Sequence, residues 1–497
     1  MYTWLTKNIL FVHLILLTAA AGWIHGGTRS DLLYPVLPWL TILVLECLLL
    51  FPQAKEDETL VESRERVWHA LLRDPLTWVS LLLIIVLVIP LFNSSAAPIF
   101  DAKTGKWSVA LPPYPYLPFC NVVTLHASTL LWFCPTLVAV LAAKHGLLKK
   151  SKRMLFEAIC WIGVSLSLLG FAQLASGTKA LLWLKPLNVY FFSTFGYTNL
   201  AGAYFTMMAA LSFGLWMQHL GEKNQMILFP TIEHAEEMSV LSANRMLLAF
   251  IVNVAGAVAS VSRAAILFCS VLMMVLVLYG FCFVWRRVTK PMKWLFSASV
   301  LGVFVTAIAL IISFPVKNIQ HEAEGISTSA VLERVTGVGG QNSRVAMEIL
   351  VKYPIFGVGG RHYALYRPLF WKGDYAKTLD CPCANAHNDI YQFMAEYGIV
   401  GFGLMVGILA VLVGSIIYAV LRMMFAQRLA ISMAIRDKGS APFYRIPPPA
   451  MVVLVATVIL IAHAYGDVVM RTPAILLVWL LALTCVSGWF PVFKKAK

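Results

Sequence analysis

Three side chains in this sequence have the types and settings to do chemistry together. Arg263 interrupts an apolar run from Met246 to Trp285. An arginine at membrane depth costs at least ~2.5 kcal/mol at a helix centre, so a turn at Val261–Arg263 is the sensible reading. Arg344 closes Gln341-Asn342-Ser343-Arg344, ahead of a short helical pattern with apolar residues at 346, 349 and 350; Asn342-Ser343 reads as its cap. His387 stands in Asn385-Ala386-His387-Asn388-Asp389, at the entrance to an apolar helix. Asn385 or Asp389 could orient its ring and leave the other nitrogen as a general base. Arg334 and Arg361 are further loop arginines.

Guanidinium groups hold a departing diphosphate through bidentate hydrogen bonds, while an imidazole removes the proton of an attacking hydroxyl. The set therefore suits displacement of a diphosphate from a sugar carbon. A metal could replace the arginines, but the long polar stretch 315–395 has no Asp-x-Asp or Glu-x-Asp pair to bind one. A metal-free, cofactor-free reaction is expected. The glycines at 337, 339 and 340 and at 357, 359 and 360 fit no Walker pattern and read as tight turns.

The elements that must position these residues are membrane helices. The chain is 60% hydrophobic and 13% charged, against about 25% charged in a soluble domain. Windows of about 20 apolar residues give about twelve spans, at 8–24, 34–52, 76–92, 125–143, 154–174, 199–218, 245–261, 264–285, 294–314, 396–420, 449–466 and 474–491. The expected fold is an all-α polytopic membrane protein. Residues 1–314 carry nine spans, 315–395 form one large, partly helical loop, and 396–497 carry three more. Lys and Arg concentrate in alternate short segments, such as Lys144–Arg153 and Arg286–Lys293. That bias puts both termini in the cytoplasm and the long loop outside. The net charge of +15 then belongs to cytoplasmic membrane flanks, and nucleic acid is not expected as a partner. No cleavable signal peptide is expected, because no convincing small-residue cleavage site follows Met1–Lys7. Of nine cysteines, Cys120, Cys381 and Cys383 fall in outside segments, where a disulfide from Cys120 is one option. A transporter would want ionisable residues deep in several spans, and the spans offer only scattered cases such as Glu46 and Glu157.

Four short stretches, in this order, resemble the bacterial O-antigen ligase and polymerase superfamily: Gly196-Tyr-Thr-Asn199-Leu-Ala201, Ser262-Arg263-Ala-Ala, Ser343-Arg344 with Tyr353-Pro354-Ile-Phe-Gly357-Val-Gly359, and Asn385-Ala-His387-Asn388-Asp389 continuing to Gly401. The resemblance covers most of the chain from about residue 154. It implies a GT-C-like fold in the bacterial inner membrane with a periplasmic loop between spans nine and ten. It also implies inverting, metal-independent transfer of a glycan from an undecaprenyl-diphosphate carrier. The acceptor would be a lipid A core, another glycan or a protein. By resemblance, His387 is the base with Asp389 as a second catalytic residue, and Arg263, Arg344, Arg361 and Arg471 engage the diphosphate. The His-Asn-Asp form favours a ligase over a polymerase.

Overall fold

The computed structural model describes residues 2–24, 30–101, 103, 106–186, 190–222, 238–285, 338–371, 385–437 and 446–490. Six described helices are long and apolar enough to cross a membrane, and five shorter apolar helices accompany them. Together they fall on every expected window except 294–314, which lies outside the described residues. Of the long loop, 315–337 and 372–384 also lie outside them. The protein is a helical, multi-pass membrane protein.

The helices run α1 (Tyr2–Trp23), α2 (Ser30–Leu50), α3 (Leu60–Arg73), α4 (Pro75–Val88), α5 (Val123–Leu141), α6 (Lys149–Ala175), α7 (Thr198–Glu222), α8 (Met238–Ala259) and α9 (Arg263–Trp285). After the gap come α10 (Val338–Lys352), α11 (Tyr363–Phe370), α12 (Asp389–Asp437), α13 (Pro448–Gly466) and α14 (Pro473–Cys485). Two small antiparallel hairpins, Ile99–Asp101 with Lys106–Ser108 and Ala180–Leu181 with Lys185–Pro186, lie in the connections. The helix α7 is the axis of the bundle: its span is wholly buried, whereas that of α12 is mostly exposed along the edge. Such an apolar edge is what lipid requires.

The connections sort into two ends. At one end, Gln53, Arg66, Asp74 and the 144–153 region interlock: Asp74 Oδ2 accepts from Lys144 Nζ at 2.8 Å and from His145 Nε2 at 2.7 Å. Here α3 is amphipathic and begins with a capping box between Thr59 and Glu62. At the other end, segments 93–122, 192–199, 260–263, 353–371, 385–396 and 467–472 meet. A second, smaller core forms there from Val345, Ala346, Ile349, Val358, Tyr363, Tyr366, Ala386 and Ala395.

Three expectations need correction, and one open option, a disulfide at Cys120, is decided. Helix α10 begins at Val338, so Gly339, Gly340, Asn342 and Ser343 are inside it rather than in a turn or a cap. Asn342 is buried and its Oδ1 accepts from Arg367 Nε at 2.9 Å instead of capping. Helix α12 begins at Asp389 rather than Glu396, because Asn388 caps it: its Oδ1 accepts from the Tyr391 N–H at 3.0 Å. Cys120 is a free, buried thiol that donates to the Pro90 carbonyl at 3.1 Å; Cys381 and Cys383 lie outside the described residues.

The long helix α12 is broken at Gly398 (φ 64°, ψ −171°). Residues 354–359 fill the break through four backbone hydrogen bonds. The Val358 and Gly359 N–H groups donate to Ala395 and Glu396, and those of Ile399 and Val400 donate to Pro354 and Ile355. A Cβ on Gly398 would sit 2.2 Å from the Ile355 carbonyl oxygen, so only glycine allows both the φ and the approach. Gly357 (φ 69°) and Gly359 (φ 95°) turn the inserted segment, as the glycine pattern suggests.

Candidate functional site

His387 occupies the residue before the cap of α12, in the left-handed region at φ 52°. Such a conformation is uncommon for a side chain other than glycine and is held by its neighbours. Here the Ala386 N–H donates to Gln392 Oε1 at 2.8 Å on one side and Asn388 caps the helix on the other. The result exposes the imidazole, 43% accessible, while its Nδ1–H donates to Asp467 Oδ1 at 3.4 Å. A carboxylate only accepts, so Nδ1 carries a proton, and in the neutral ring Nε2 keeps the lone pair.

Asp467 follows the last residue of α13 and is 1% accessible. It accepts from the Val468 N–H at 2.7 Å, from Tyr197 Oη at 3.1 Å and from Asn199 Nδ2. Burial alone would raise its pKa, yet the bonds from His387 and Val468 hold it below the ordinary carboxylate value. The orienting carboxylate is therefore Asp467, and neither Asn385 nor Asp389 touches the ring. Asn385 Oδ1 accepts from Arg471 Nη1 at 2.9 Å. Buried Asp389 takes the Val469 and Met470 N–H groups on Oδ2, each at 2.6 Å, and so fixes the turn that carries Asp467. Composition cannot single out Asp467; the signal available was a lone acid closing a span on the same side as His387.

The network continues to Arg263. Asn199 Oδ1 accepts from Ser262 Oγ, and Ser262 Oγ accepts from the Ala265 N–H at 3.1 Å, capping α9. Arg263 is the first residue of that helix and half-buried. The turn before it passes through Val261 at φ 56°, as the interruption of the apolar run suggests. Gly202 permits the close approach: a Cβ there would lie 2.2 Å from that of Ala265. A helix N-terminus already favours anions, so Arg263 and the α9 dipole act in the same sense. On the other flank, Ser343 Oγ donates to the Ala386 carbonyl at 3.5 Å. That bond joins the residue before exposed Arg344, on α10, to the residue before His387.

Arg361 and Arg471 are used differently. Arg471 is buried in an ion pair with Glu396, Nη2 to Oε2 at 2.5 Å. Glu396 also receives the Arg361 N–H at 2.8 Å, the Tyr363 N–H at 3.3 Å and Gln392 Nε2 at 2.9 Å. Arg361 Nη1 donates to Ser128 Oγ at 2.9 Å, and both guanidinium groups lie over Trp132, at 5.8 and 5.5 Å from its centroid. Two histidines brace the same loop. The Gly360 N–H donates to His126 Nδ1 at 2.8 Å. His362 accepts the Asn121 and Val122 N–H groups on Nε2, at 3.0 and 2.9 Å, and donates from Nδ1 to the Gly360 carbonyl. Burial pushes His362 below the ordinary imidazole value, opposed by its bond to Gly360. Among the described residues, no three of His, Cys, Asp and Glu gather as a metal-ligand set.

A multi-pass helical bundle thus carries, at one end, an oriented imidazole flanked by segments bearing two arginines. Residues 248–406 match the family model for O-antigen ligase. That stretch, about a third of the chain, is similar to the O-antigen ligase family and supports placing the protein with that superfamily. The matched stretch contains Arg263, Arg344, Arg361, His387 and Asp389, while Arg471, Asp467 and Asn199 fall outside it. No curated protein matches the chain.

Proposed function

We propose that this protein moves a glycan from an undecaprenyl-diphosphate carrier to an acceptor hydroxyl, on the periplasmic side of the bacterial inner membrane, as an O-antigen ligase does. The acceptor is a lipid A core, another glycan or a protein. The observation that carries the reading is the bonded chain Ser262–Asn199–Asp467–His387, with Arg263 adjoining one end and Arg344 joined to the other through Ser343 and Ala386.

In this reading His387 Nε2 takes the proton of the acceptor hydroxyl as its oxygen attacks the anomeric carbon from the face opposite the diphosphate. The carbon–oxygen bond to the diphosphate breaks, its electron pair stays on the phosphate oxygen, and configuration inverts. Arg263 and Arg344 stabilise the charge that develops on the leaving group. Asp467 fixes the tautomer and stabilises the imidazolium. Asp389, Arg361 and Arg471 position: Asp389 shapes the 467–470 turn, while Arg361 and Arg471 brace the loop against α12 and α5. The reaction asks nothing of a metal or cofactor. Cytoplasmic termini and a periplasmic 315–395 loop follow from the Lys and Arg bias.

The test is transfer from purified lipid-linked glycan by the protein in nanodiscs. His387→Ala should abolish transfer, and Arg344→Lys should lower it substantially by losing the planar fork. Full activity of a folded His387→Ala variant would remove the reading. Growth of the carrier-bound glycan with no other acceptor present would favour a polymerase.

A further inference from the structure

The connection from α4 to α5 contains Leu111-Pro-Pro-Tyr114-Pro-Tyr116-Leu-Pro118, and the described chain displays it outward. Tyr116 is 92% accessible and Tyr114 62%. The exposure is built. Buried Asn93 clamps the loop from within, its Nδ2 donating to the Tyr114 and Pro118 carbonyls at 2.9 and 3.1 Å and its Oδ1 accepting from the Tyr114 N–H at 3.0 Å. Four prolines restrict the backbone further, so the loop that carries the rings is shaped before anything binds.

The loop is also joined to the site. Its base at Asn121 and Val122 is held by His362, and Tyr366 Oη donates to Asn121 Oδ1 at 2.8 Å. Next to His362, the Arg361 N–H is bonded to Glu396, which pairs with Arg471, and Arg471 holds Asn385. A continuous bonded frame therefore runs from the tyrosines to the residues before His387.

Charge selects the partner. Residues 107–125 contain no Lys, Arg, Asp or Glu. A surface for phosphate headgroups carries cations, and this stretch itself supplies none, the nearest in sequence being Lys103 and Lys106 on the hairpin before it. Exposed tyrosines on a clamped loop present a flat apolar face with a hydroxyl at the rim. That face matches a sugar ring, whose C–H groups stack while its hydroxyls stay wet. Arg263 and Arg344 are committed to the donor diphosphate, so the acceptor needs a separate, neutral handle.

We propose that the tyrosine–proline loop 111–118 is a saccharide-binding platform that holds the sugar rings of the acceptor glycan at the same end of the bundle as the His387 site. This rests on the glycan-transfer reading above. The probe is core oligosaccharide released from the cell's own lipopolysaccharide, added to the full-length protein in nanodiscs. Tyr114→Ala/Tyr116→Ala should raise KM for this oligosaccharide about ten-fold or more, with kcat and the donor KM essentially unchanged. Tyr114→Phe/Tyr116→Phe, which keeps the rings, should restore it. Equilibrium binding of the same oligosaccharide to His387→Ala should persist and be lost on adding the alanine pair. That binding readout separates the platform from the transfer reading, because it needs no turnover. An unchanged acceptor KM, a shift in the donor KM instead, or quenching by brominated lipid of a fluorophore at Tyr116→Cys would each overturn the platform.

Discussion

Asp467→Asn is the most informative single change, because it keeps shape and removes only the second carboxylate oxygen. Four donors converge on Asp467: His387, the Val468 N–H, Tyr197 and Asn199. An asparagine offers one oxygen and an NH2 group, so at least one donor must meet another donor. An unsatisfied buried donor costs about 1–3 kcal/mol, which sets the expected loss of stability. The effect on turnover should be larger. Without the carboxylate, nothing holds the proton on Nδ1 and nothing balances the imidazolium. General-base catalysis contributes about 10²–10⁴-fold, or roughly 3–5 kcal/mol of barrier at 1.36 kcal/mol per decade. The assay is single-turnover transfer from lipid-linked donor, with a thermal melt on each sample. Tyr197→Phe is the control; it removes one donor and leaves the charge, so its loss should stay below about ten-fold. His387→Ala with Asp467→Asn should be no slower than His387→Ala alone, since the two act as a unit. A folded Asp467→Asn variant with near wild-type turnover would refute the orienting role.

Three other outcomes follow from the same geometry. Glu396→Gln leaves Arg471 charged and buried and should cost about 3–5 kcal/mol in a melt, whereas replacing both by apolar residues of similar volume should recover much of it. Gly398→Ala forces a Cβ into the Ile355 carbonyl at 2.2 Å; exchange of the Val358, Gly359, Ile399 and Val400 amides should quicken before any global loss. His362 titrates below the ordinary imidazole value when folded. Between the ordinary value, near 6.5, and that lower folded value, the unfolded chain holds the extra proton. Stability therefore falls as pH drops through this window, by at most about 1.4 kcal/mol per unit. His362→Gln should flatten that part of the pH–stability curve, and an unchanged slope would assign it to other groups.

Much of the architecture could be read from residue order. Long apolar stretches are local, and a bilayer leaves helices as their outcome, so the windows fell on helices wherever the chain is described. The same holds for Arg263: a charge inside an apolar run must come to an end of the bundle, and it does so at the first residue of α9. His387 and Arg344 stood out by residue type and setting. What sequence could not supply was the pairing of groups far apart in the chain. Asp467 meets His387 across 80 positions and Asn199 across 268. Asp389 and Arg471 resemble reacting groups by type, but burial, the backbone N–H groups on Asp389 and the ion pair of Arg471 with Glu396 give them the work of holding turns. The cap assigned to Asn342 failed for the same reason, since a partner on α11 took its oxygen. Local pattern and the bilayer determined which segments are helices and where charge can surface. Only packing decided which charges are spent on each other and which are left to face a substrate, because that depends on distances no spacing encodes.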